Sequence, residues 1–194
     1  VLLAPRCVLG LATGSTPVGM YDELSARCAA GRLSFAQVTS VNLDEYVGLT
    51  PDHPQSYRYF MDTHLFSRVD IRREATHVPD GLAADPQQAG AAYDRMIEEL
   101  GGIDLQVLGI GNNGHIGFNE PADPYTAQTH IVALQPSTIN ANARFFTSAD
   151  EVPTHAITMG MRAIMQARRI LLLAGAEKRQ IVERAFTGPV TPQV

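Results

Sequence analysis

Short runs of apolar residues alternate along the chain with longer stretches whose apolar residues recur every three or four positions. The runs are typical of strands buried on both faces of a parallel sheet, and the longer stretches are typical of amphipathic helices. The predicted strands are 7–12, 37–43, 103–111 and 168–175, and the predicted helices are 17–30, 85–100 and 177–186. This alternation predicts an open α/β sheet with right-handed crossovers.

Residues at the predicted helix ends agree with this assignment. Pro17 and Pro86 suit the first turn of a helix, Thr16 suits an N-cap, and Gly31 suits a helix end. A chain of 194 residues with 45% hydrophobic content can bury one substantial core, so we expect a single domain over 1–194. Segment 122–153 is less periodic and is a candidate lid over a site.

Three loops, 13–16, 44–46 and 111–120, directly follow predicted strands. In open α/β sheets, ligands bind beyond the carboxyl ends of the strands, where such loops converge. We therefore expect the functional residues to come from these loops.

Composition excludes several classes of partner. The net charge of −5 and the pI near 5.6 argue against a nucleic acid or an anionic membrane as partner. The two cysteines, Cys7 and Cys28, have neither disulfide nor metal-ligand spacing, so a reducing cytoplasm fits best. No apolar run reaches the roughly 18 residues of a membrane span, and no secretory leader is recognisable.

The stretch ATGSTP places Gly14, Ser15 and Thr16 at a predicted helix N-terminus. Backbone N–H groups and the helix dipole attract an anion such as phosphate there, although an ordinary helix cap is the simpler interpretation. Neither a Walker loop nor a G-x-G-x-x-G fingerprint follows this strand, which disfavours a nicotinamide cofactor.

The stretch NLDEY ends a predicted strand with Asp44 and Glu45. A carboxylate at the carboxyl end of a strand is well placed to act as a general base, and the alternative is a solvated turn or a helix cap. Arg144 and Lys178 are candidate anion-binding residues, and the alternative for each is a solvated surface charge.

The stretch GIGNNGHIGFNEP combines His115 and Glu120 with four glycines. A carboxylate that orients an imidazole would let His115 move protons near neutral pH, whereas a structural histidine is the alternative. No second histidine or cysteine lies at ligand spacing, so we expect no metal.

Together these stretches resemble the glucosamine-6-phosphate deaminase family. The matching stretches are LGLATGSTPVGMY, NLDEYVGL with HPQSY, LGIGNNGHIGFNEP, NARFF, AITMG and RILLLAGAEK, and they cover nearly the whole chain in one order. The resemblance implies a doubly wound, Rossmann-like domain with a mostly parallel sheet and helices on both faces. It also implies the conversion of glucosamine 6-phosphate and water into fructose 6-phosphate and ammonium without an organic cofactor.

The resemblance also implies residue roles. His115 would open the sugar ring with Glu120 orienting it, and Asp44 would move a proton from carbon 2 to carbon 1. Tyr57 matches a position near the site. The implied phosphate ligands are Gly14, Ser15, Thr16, Arg144 and Lys178.

The chain departs from the family pattern in three respects. Asn113 stands where many members have an aspartate, so a neutral amide able to hydrogen-bond the imidazole replaces a charge. His130 and Val132 stand where regulated members have basic residues, so we expect no activation by N-acetylglucosamine 6-phosphate, and a homo-oligomer remains open. We also expect the chain to lack the N-terminal helix and the C-terminal segment of family members.

Other functions remain open. A phosphogluconolactonase or a galactosamine-6-phosphate deaminase would share the fold, and the carbon-proton base implied for Asp44 argues against the lactonase. A sugar-phosphate sensor would be expected to lack Asp44, His115 or Glu120 and to carry a helix-turn-helix.

Overall fold

The computed structural model describes residues 1–191, except for the side chains of Ser137, Ala141, Asn142 and Ala149. Within this range the strands are β1 (Val8–Leu11), β2 (Thr39–Asn42), β3 (Asp44–Tyr46), β4 (Thr76–His77), β5 (Leu105–Leu108), β6 (His130–Ala133), β7 (His155–Thr158) and β8 (Ile170–Leu172). The α-helices are α1 (Val18–Ala29), α2 (Tyr57–His64), α3 (Pro86–Glu99), α4 (Pro136–Ala143), α5 (Met161–Met165) and α6 (Arg179–Thr187). None of these helices has the length and the apolar character that a membrane span requires.

The main sheet has five strands in the order β4-β2-β1-β5-β8, and every neighbouring pair is parallel. The chain runs outward from β1 through β2 to β4 and then returns to the other side of β1 at β5. The reversal creates a crevice beyond the carboxyl ends of β1 and β5, which is where ligands bind in such sheets. The predicted open, mostly parallel sheet is confirmed.

Helices cover both faces of this sheet, because its strands carry apolar side chains in both directions. On one face, Tyr21 of α1 and Met61 of α2 pack into a buried cluster with β1 and β5. On the other face, Ile97 of α3 and Ile164 of α5 pack into a second cluster. The doubly wound arrangement thus buries both faces of the strands that end at the crevice.

A second sheet of three antiparallel strands, in the order β3-β7-β6, was not predicted. The polar stretch after β2 was expected to end that strand, but Asp44–Tyr46 instead forms a separate strand that pairs with β7. The partner strands come from parts of the chain with little periodicity, so their pairing depends on contacts that sequence pattern does not reveal.

Segment 168–175 contains the predicted strand, β8, but the prediction that this strand is buried is wrong. Within the described residues β8 is an edge strand, and Ile170 and Leu171 are 43% and 39% exposed. The predicted N-cap at Thr16 is also wrong. Pro17 occupies the cap position of α1 without a side-chain hydrogen bond, so the Thr16 hydroxyl does not cap the helix.

Segment 122–153, the candidate lid, contains β6 and α4 and is attached to α3 at its start. The Asp94 carboxylate accepts hydrogen bonds from the Thr129 backbone N–H at 2.9 Å and from the Thr129 hydroxyl at 2.5 Å. Gly90, one turn earlier on α3, lies against the Thr129 carbonyl group. These contacts fix one end of the segment, and its role as a lid stays a prediction.

Gly90→Ala is expected to lower the free energy of unfolding by about 1–3 kcal/mol, because overpacking outweighs the better helix propensity of alanine. The added Cβ would lie 2.5 Å from the Thr129 carbonyl oxygen. Gly19→Ala in α1 is the matched control, since no heavy atom lies within 4 Å of its added Cβ. We expect this control to gain up to about 1 kcal/mol. Urea unfolding followed by circular dichroism measures both, and equal stability of the two variants would contradict the packing proposed here.

Candidate active site

A crevice of about 780 Å³ opens where the strand order reverses, a size typical of small-ligand sites. Loops after β1 and β5 form part of its lining, together with β3 and segment 122–153. The lining residues with polar or charged side chains are Thr13, Thr16, Asp44, Tyr46, Tyr57, Asn112, Asn113, His115, Glu120, Gln135, Thr138 and Lys178. Most of the predicted site residues therefore lie together.

The loop after β1 contributes Thr13 and Thr16 to the lining, whereas Gly14 and Ser15 are exposed and lie outside it. Gly14 has a φ of 87°, a conformation that favours glycine, and this turn leads into α1. The free N–H groups at the start of α1 are consequently near the crevice, as an anion site requires.

Asp44 is buried, with 5% of its surface exposed, and it lines the crevice from β3. Burial raises the pKa of its carboxyl, and the charge of the neighbouring Glu45 raises it further, to about 8. A carboxyl group with such a pKa exchanges its proton near neutral pH, as general acid–base chemistry requires.

The His115 loop is a tight turn that depends on glycine at two positions. The Gly111 N–H donates to the His115 carbonyl oxygen at 2.9 Å, and the imidazole lies directly over Gly111, where any Cβ would overlap it. Gly117 has a φ of 60°, and a Cβ added there would lie 3.3 Å from Asp44 Oδ2. The loop that carries His115 thus packs against Asp44.

Asn113 lies between His115 and Glu120. Its Nδ2 donates to Glu120 Oε2 at 2.5 Å, and its Oδ1 is 2.7 Å from His115 Nδ1. Because Oδ1 can only accept, the network places the proton on Nδ1 and leaves Nε2 of the neutral ring free to accept one. Glu120 Oε1 is 3.7 Å from Nδ1, so Glu120 reaches the imidazole mainly through Asn113.

An aromatic wall formed by Tyr46, Tyr57 and Phe118 borders the crevice. The ring centroids of Tyr46 and Tyr57 are 4.7 Å apart, and the Tyr57 and Phe118 rings are stacked at 6.2 Å. Sequence analysis placed Tyr57 near the site but missed Tyr46 and Phe118. Both lie inside the NLDEY and GFNEP stretches, where an aromatic residue beside a candidate catalytic group was the available signal.

The two predicted basic residues have different positions. Lys178 lines the crevice, and its Nζ donates a hydrogen bond to Asn112 Oδ1 in the β5 loop. Arg144 is exposed, lies outside the lining and stacks over the Phe145 ring with its Cζ at 4.6 Å from the centroid. The structure therefore brings Lys178, but not Arg144, to the other site residues.

Metal-ligating side chains do not converge within residues 1–191. No group of three or more His, Cys, Asp or Glu side chains there could hold a metal ion. The expectation of a metal-free, cofactor-free site stays a prediction.

The family model described as glucosamine-6-phosphate isomerases/6-phosphogluconolactonase matches residues 4–193. The chain belongs to this family. Among its relatives, the glucosamine-6-phosphate deaminase of Lachnoclostridium phytofermentans is 58% identical over 195 residues, which cover 100% of this chain and 83% of the relative. The glucosamine-6-phosphate deaminase of Clostridium perfringens is 53% identical over 191 residues, which cover 98% of this chain and 79% of the relative.

Solved structures of the glucosamine-6-phosphate isomerase/6-phosphogluconolactonase family share the fold. A monomeric glucosamine-6-phosphate deaminase superposes with a TM-score of 0.90 at 42% identity, covering 97% of this chain and 79% of that one. The 6-phosphogluconolactonase of Thermotoga maritima superposes with a TM-score of 0.73 at 22% identity, covering 99% and 82%. The lactonase likeness shows the fold alone.

Asp44→Asn is expected to stabilise the protein at alkaline pH. The folded-state pKa of about 8 lies above the ordinary aspartate value of 3.8, so wild-type stability falls as pH rises between these values. The amide cannot ionise, so the variant should gain stability relative to wild type, on the order of a few kcal/mol, between about pH 4 and pH 8. Urea unfolding at both pH values measures the difference. A difference that does not change with pH would refute the raised pKa.

Proposed function

We propose that this protein converts glucosamine 6-phosphate and water into fructose 6-phosphate and ammonium. The main support is that one crevice holds both a buried carboxyl group that titrates near neutral pH, Asp44, and an oriented imidazole, His115. Ring opening and the shift of a proton between carbons require two such groups. The relatives at 53–58% identity, which are named glucosamine-6-phosphate deaminases, support the same reaction.

His115 catalyses opening of the sugar ring by passing a proton between the anomeric hydroxyl and the ring oxygen. Its Nε2 is the group that accepts the proton, because Asn113 holds the other proton on Nδ1. Glu120 accepts from Asn113 Nδ2 and thereby fixes the orientation of the amide. The neutral amide takes the place of a second carboxylate, so the network carries a single negative charge.

Asp44 moves a proton from carbon 2 to carbon 1 through an enolamine, and hydrolysis of the resulting ketimine releases ammonia. A pKa of about 8 suits a group that must both take up and return a proton within one turnover. The substrate's ammonium group, held beside the carboxyl, would favour its ionised form. The aromatic wall keeps the carboxyl away from water on one side.

The phosphate group binds at the start of α1, where Gly14, Ser15 and Thr16 provide N–H and hydroxyl donors, and Lys178 supplies a positive charge. Arg144 contacts the phosphate group only if segment 122–153 closes over the crevice. We propose this closure as the lid function of the segment. Binding energy from this remote end holds the reacting carbons in position.

One chain supplies every group in this mechanism, and a solved relative is monomeric, so activity does not require a homo-oligomer. His130 and Val132 both lie on β6, and the apolar Val132 supports a form without activation by N-acetylglucosamine 6-phosphate. We place the enzyme in the cytoplasm, without nucleic-acid or membrane partners, because of its acidic charge and unpaired cysteines.

The decisive test of function is ammonium release from glucosamine 6-phosphate, measured beside galactosamine 6-phosphate and 6-phosphogluconolactone. We expect ammonium from the first substrate at a rate at least tenfold above the second, and no hydrolysis of the lactone. Preference for either alternative substrate would refute the proposal. Adding N-acetylglucosamine 6-phosphate should leave the rate unchanged.

Substitutions should separate the two proton transfers. Asp44→Asn is expected to lower kcat by about 10²–10⁴-fold while sugar-phosphate affinity is largely retained, because only the acid–base step is lost. His115→Gln is expected to impair turnover of the closed-ring substrate more than that of an open-chain analogue. Steady-state kinetics and calorimetric binding measure these effects. Equal His115→Gln defects on both substrates would contradict a ring-opening role.

A further inference from the structure

We propose that Glu45 is a positioning residue for the deamination, whose buried carboxylate ties the first turn of α2 to β3 and thereby holds Tyr57 beside Asp44. This inference rests on the proposed function. Glu45 does not itself line the crevice, so it would act through the neighbours that do.

The Glu45 carboxylate accepts three backbone hydrogen bonds. Oε1 accepts from the N–H groups of Tyr46 at 2.8 Å and Tyr57 at 2.9 Å, and Oε2 accepts from the N–H of Arg58 at 2.9 Å. Glu45 is 4% exposed, so these bonds are shielded from water. Burial raises the pKa of the Glu45 carboxyl, and the three backbone hydrogen bonds oppose that rise. Two of these bonds come from the first N–H groups of α2, which lack partners within the helix and lie at the positive end of its dipole.

The tie determines where Tyr57 lies, because Tyr57 is the first residue of α2. Its hydroxyl donates to the Tyr46 hydroxyl at 3.3 Å and interacts with the side chain of Thr13 in the β1 loop. Tyr57 also interacts electrostatically with Asp44. One carboxylate therefore connects β3, α2 and the β1 loop around Asp44.

Glu45 also places a negative charge next to Asp44. The two side chains follow one another on a strand and so point to opposite faces of the sheet, Asp44 into the crevice and Glu45 towards a separate pocket of about 370 Å³. The titratable groups around Asp44 are Tyr57 and Tyr93, and those that line the pocket with Glu45 are Arg58, Arg73, His77 and Asp80. After burial itself, the charge of Glu45 is the cause that raises the pKa of Asp44.

Three variants test the charge of Glu45 and its hydrogen bonds. Glu45→Gln keeps the shape and removes the charge, and it retains one acceptor oxygen while its –NH2 group cannot accept from a backbone N–H. Glu45→Asp keeps the charge but is one methylene shorter, so it cannot reach the same backbone groups. Ser56→Ala is the matched control, because the Ser56 hydroxyl caps the same helix by accepting from Tyr59 N–H at 3.0 Å and carries no charge.

The measurement is the pH profile of kcat/KM for ammonium release, in which the titration of the substrate is common to all variants. Glu45→Gln is expected to shift the acid limb by about one pH unit towards lower pH, because a like charge beside Asp44 is removed. Glu45→Asp should leave the limb in place and lower kcat severalfold. Ser56→Ala should lower stability without moving the limb.

The proposal would be overturned if the acid limb of the Glu45→Gln profile coincided with that of wild type. It would also be overturned if the acid limb of Ser56→Ala moved as far as that of Glu45→Gln. If Glu45→Gln does not fold, full activity of Glu45→Asp would overturn it instead. A readout without turnover separates this proposal from the proposed function: the carboxyl ¹³C resonance of Asp44, assigned by its loss in Asp44→Asn, titrates in the free protein. Failure of wild type to release ammonium would refute the function, whereas an unshifted Asp44 titration in Glu45→Gln would refute the role of Glu45.

Discussion

Burial of the Asp44 carboxyl group at the junction of the two sheets is the constraint on which the site depends. In water this group would ionise at acidic pH, but its surroundings raise its pKa to about 8. Folding therefore sacrifices stability at neutral and alkaline pH to keep this carboxyl in the crevice. Such a sacrifice is common where a functional group must exchange protons under physiological conditions.

Close backbone approach brings the loop that carries His115, the second proposed catalytic group, against this carboxyl. The His115 loop folds over itself so tightly that the imidazole occupies the place of a Gly111 side chain, and Gly117 lies against Asp44. Asn119 secures the loop, because its Nδ2 donates to the Met159 carbonyl oxygen just after β7. The glycines in this stretch thus serve the packing of the loop as much as any approach to a ligand.

Asn113 stands where many family members have an aspartate, so the partner of the His115 imidazole is a neutral amide and not a second carboxylate. An amide has a donor end and an acceptor end, and Glu120 engages the donor. The acceptor end then selects one tautomer of His115, a choice that a second carboxylate would also make while adding a charge. The fixed donor and acceptor ends of the Asn113 amide can therefore orient the imidazole without a second negative charge.

Local pattern sufficed for much of the fold. Four of the five strands of the main sheet and the start of α3, with Asp85 as its cap and Pro86 in its first turn, were predictable because apolar periodicity and capping chemistry involve residues close in sequence. The two-residue β4 was not predicted, because it is too short to show a periodicity. The candidate site stretches were recognisable for the same reason. Burial of β8 was predicted wrongly, because an apolar run is the same at the edge of a sheet and at its centre.

The parallel α/β architecture and the stretches that carry the candidate chemistry could both be inferred from the sequence, since both are encoded by neighbouring residues. Long-range packing places Asp44 in a second, antiparallel sheet and brings Tyr46 and Phe118 to the border of the crevice. It also brings Lys178 into the crevice while Arg144 lies outside. These outcomes depend on contacts between residues that are distant along the chain. Such contacts are decided by how the helices and both sheets pack together, which no short stretch of sequence specifies.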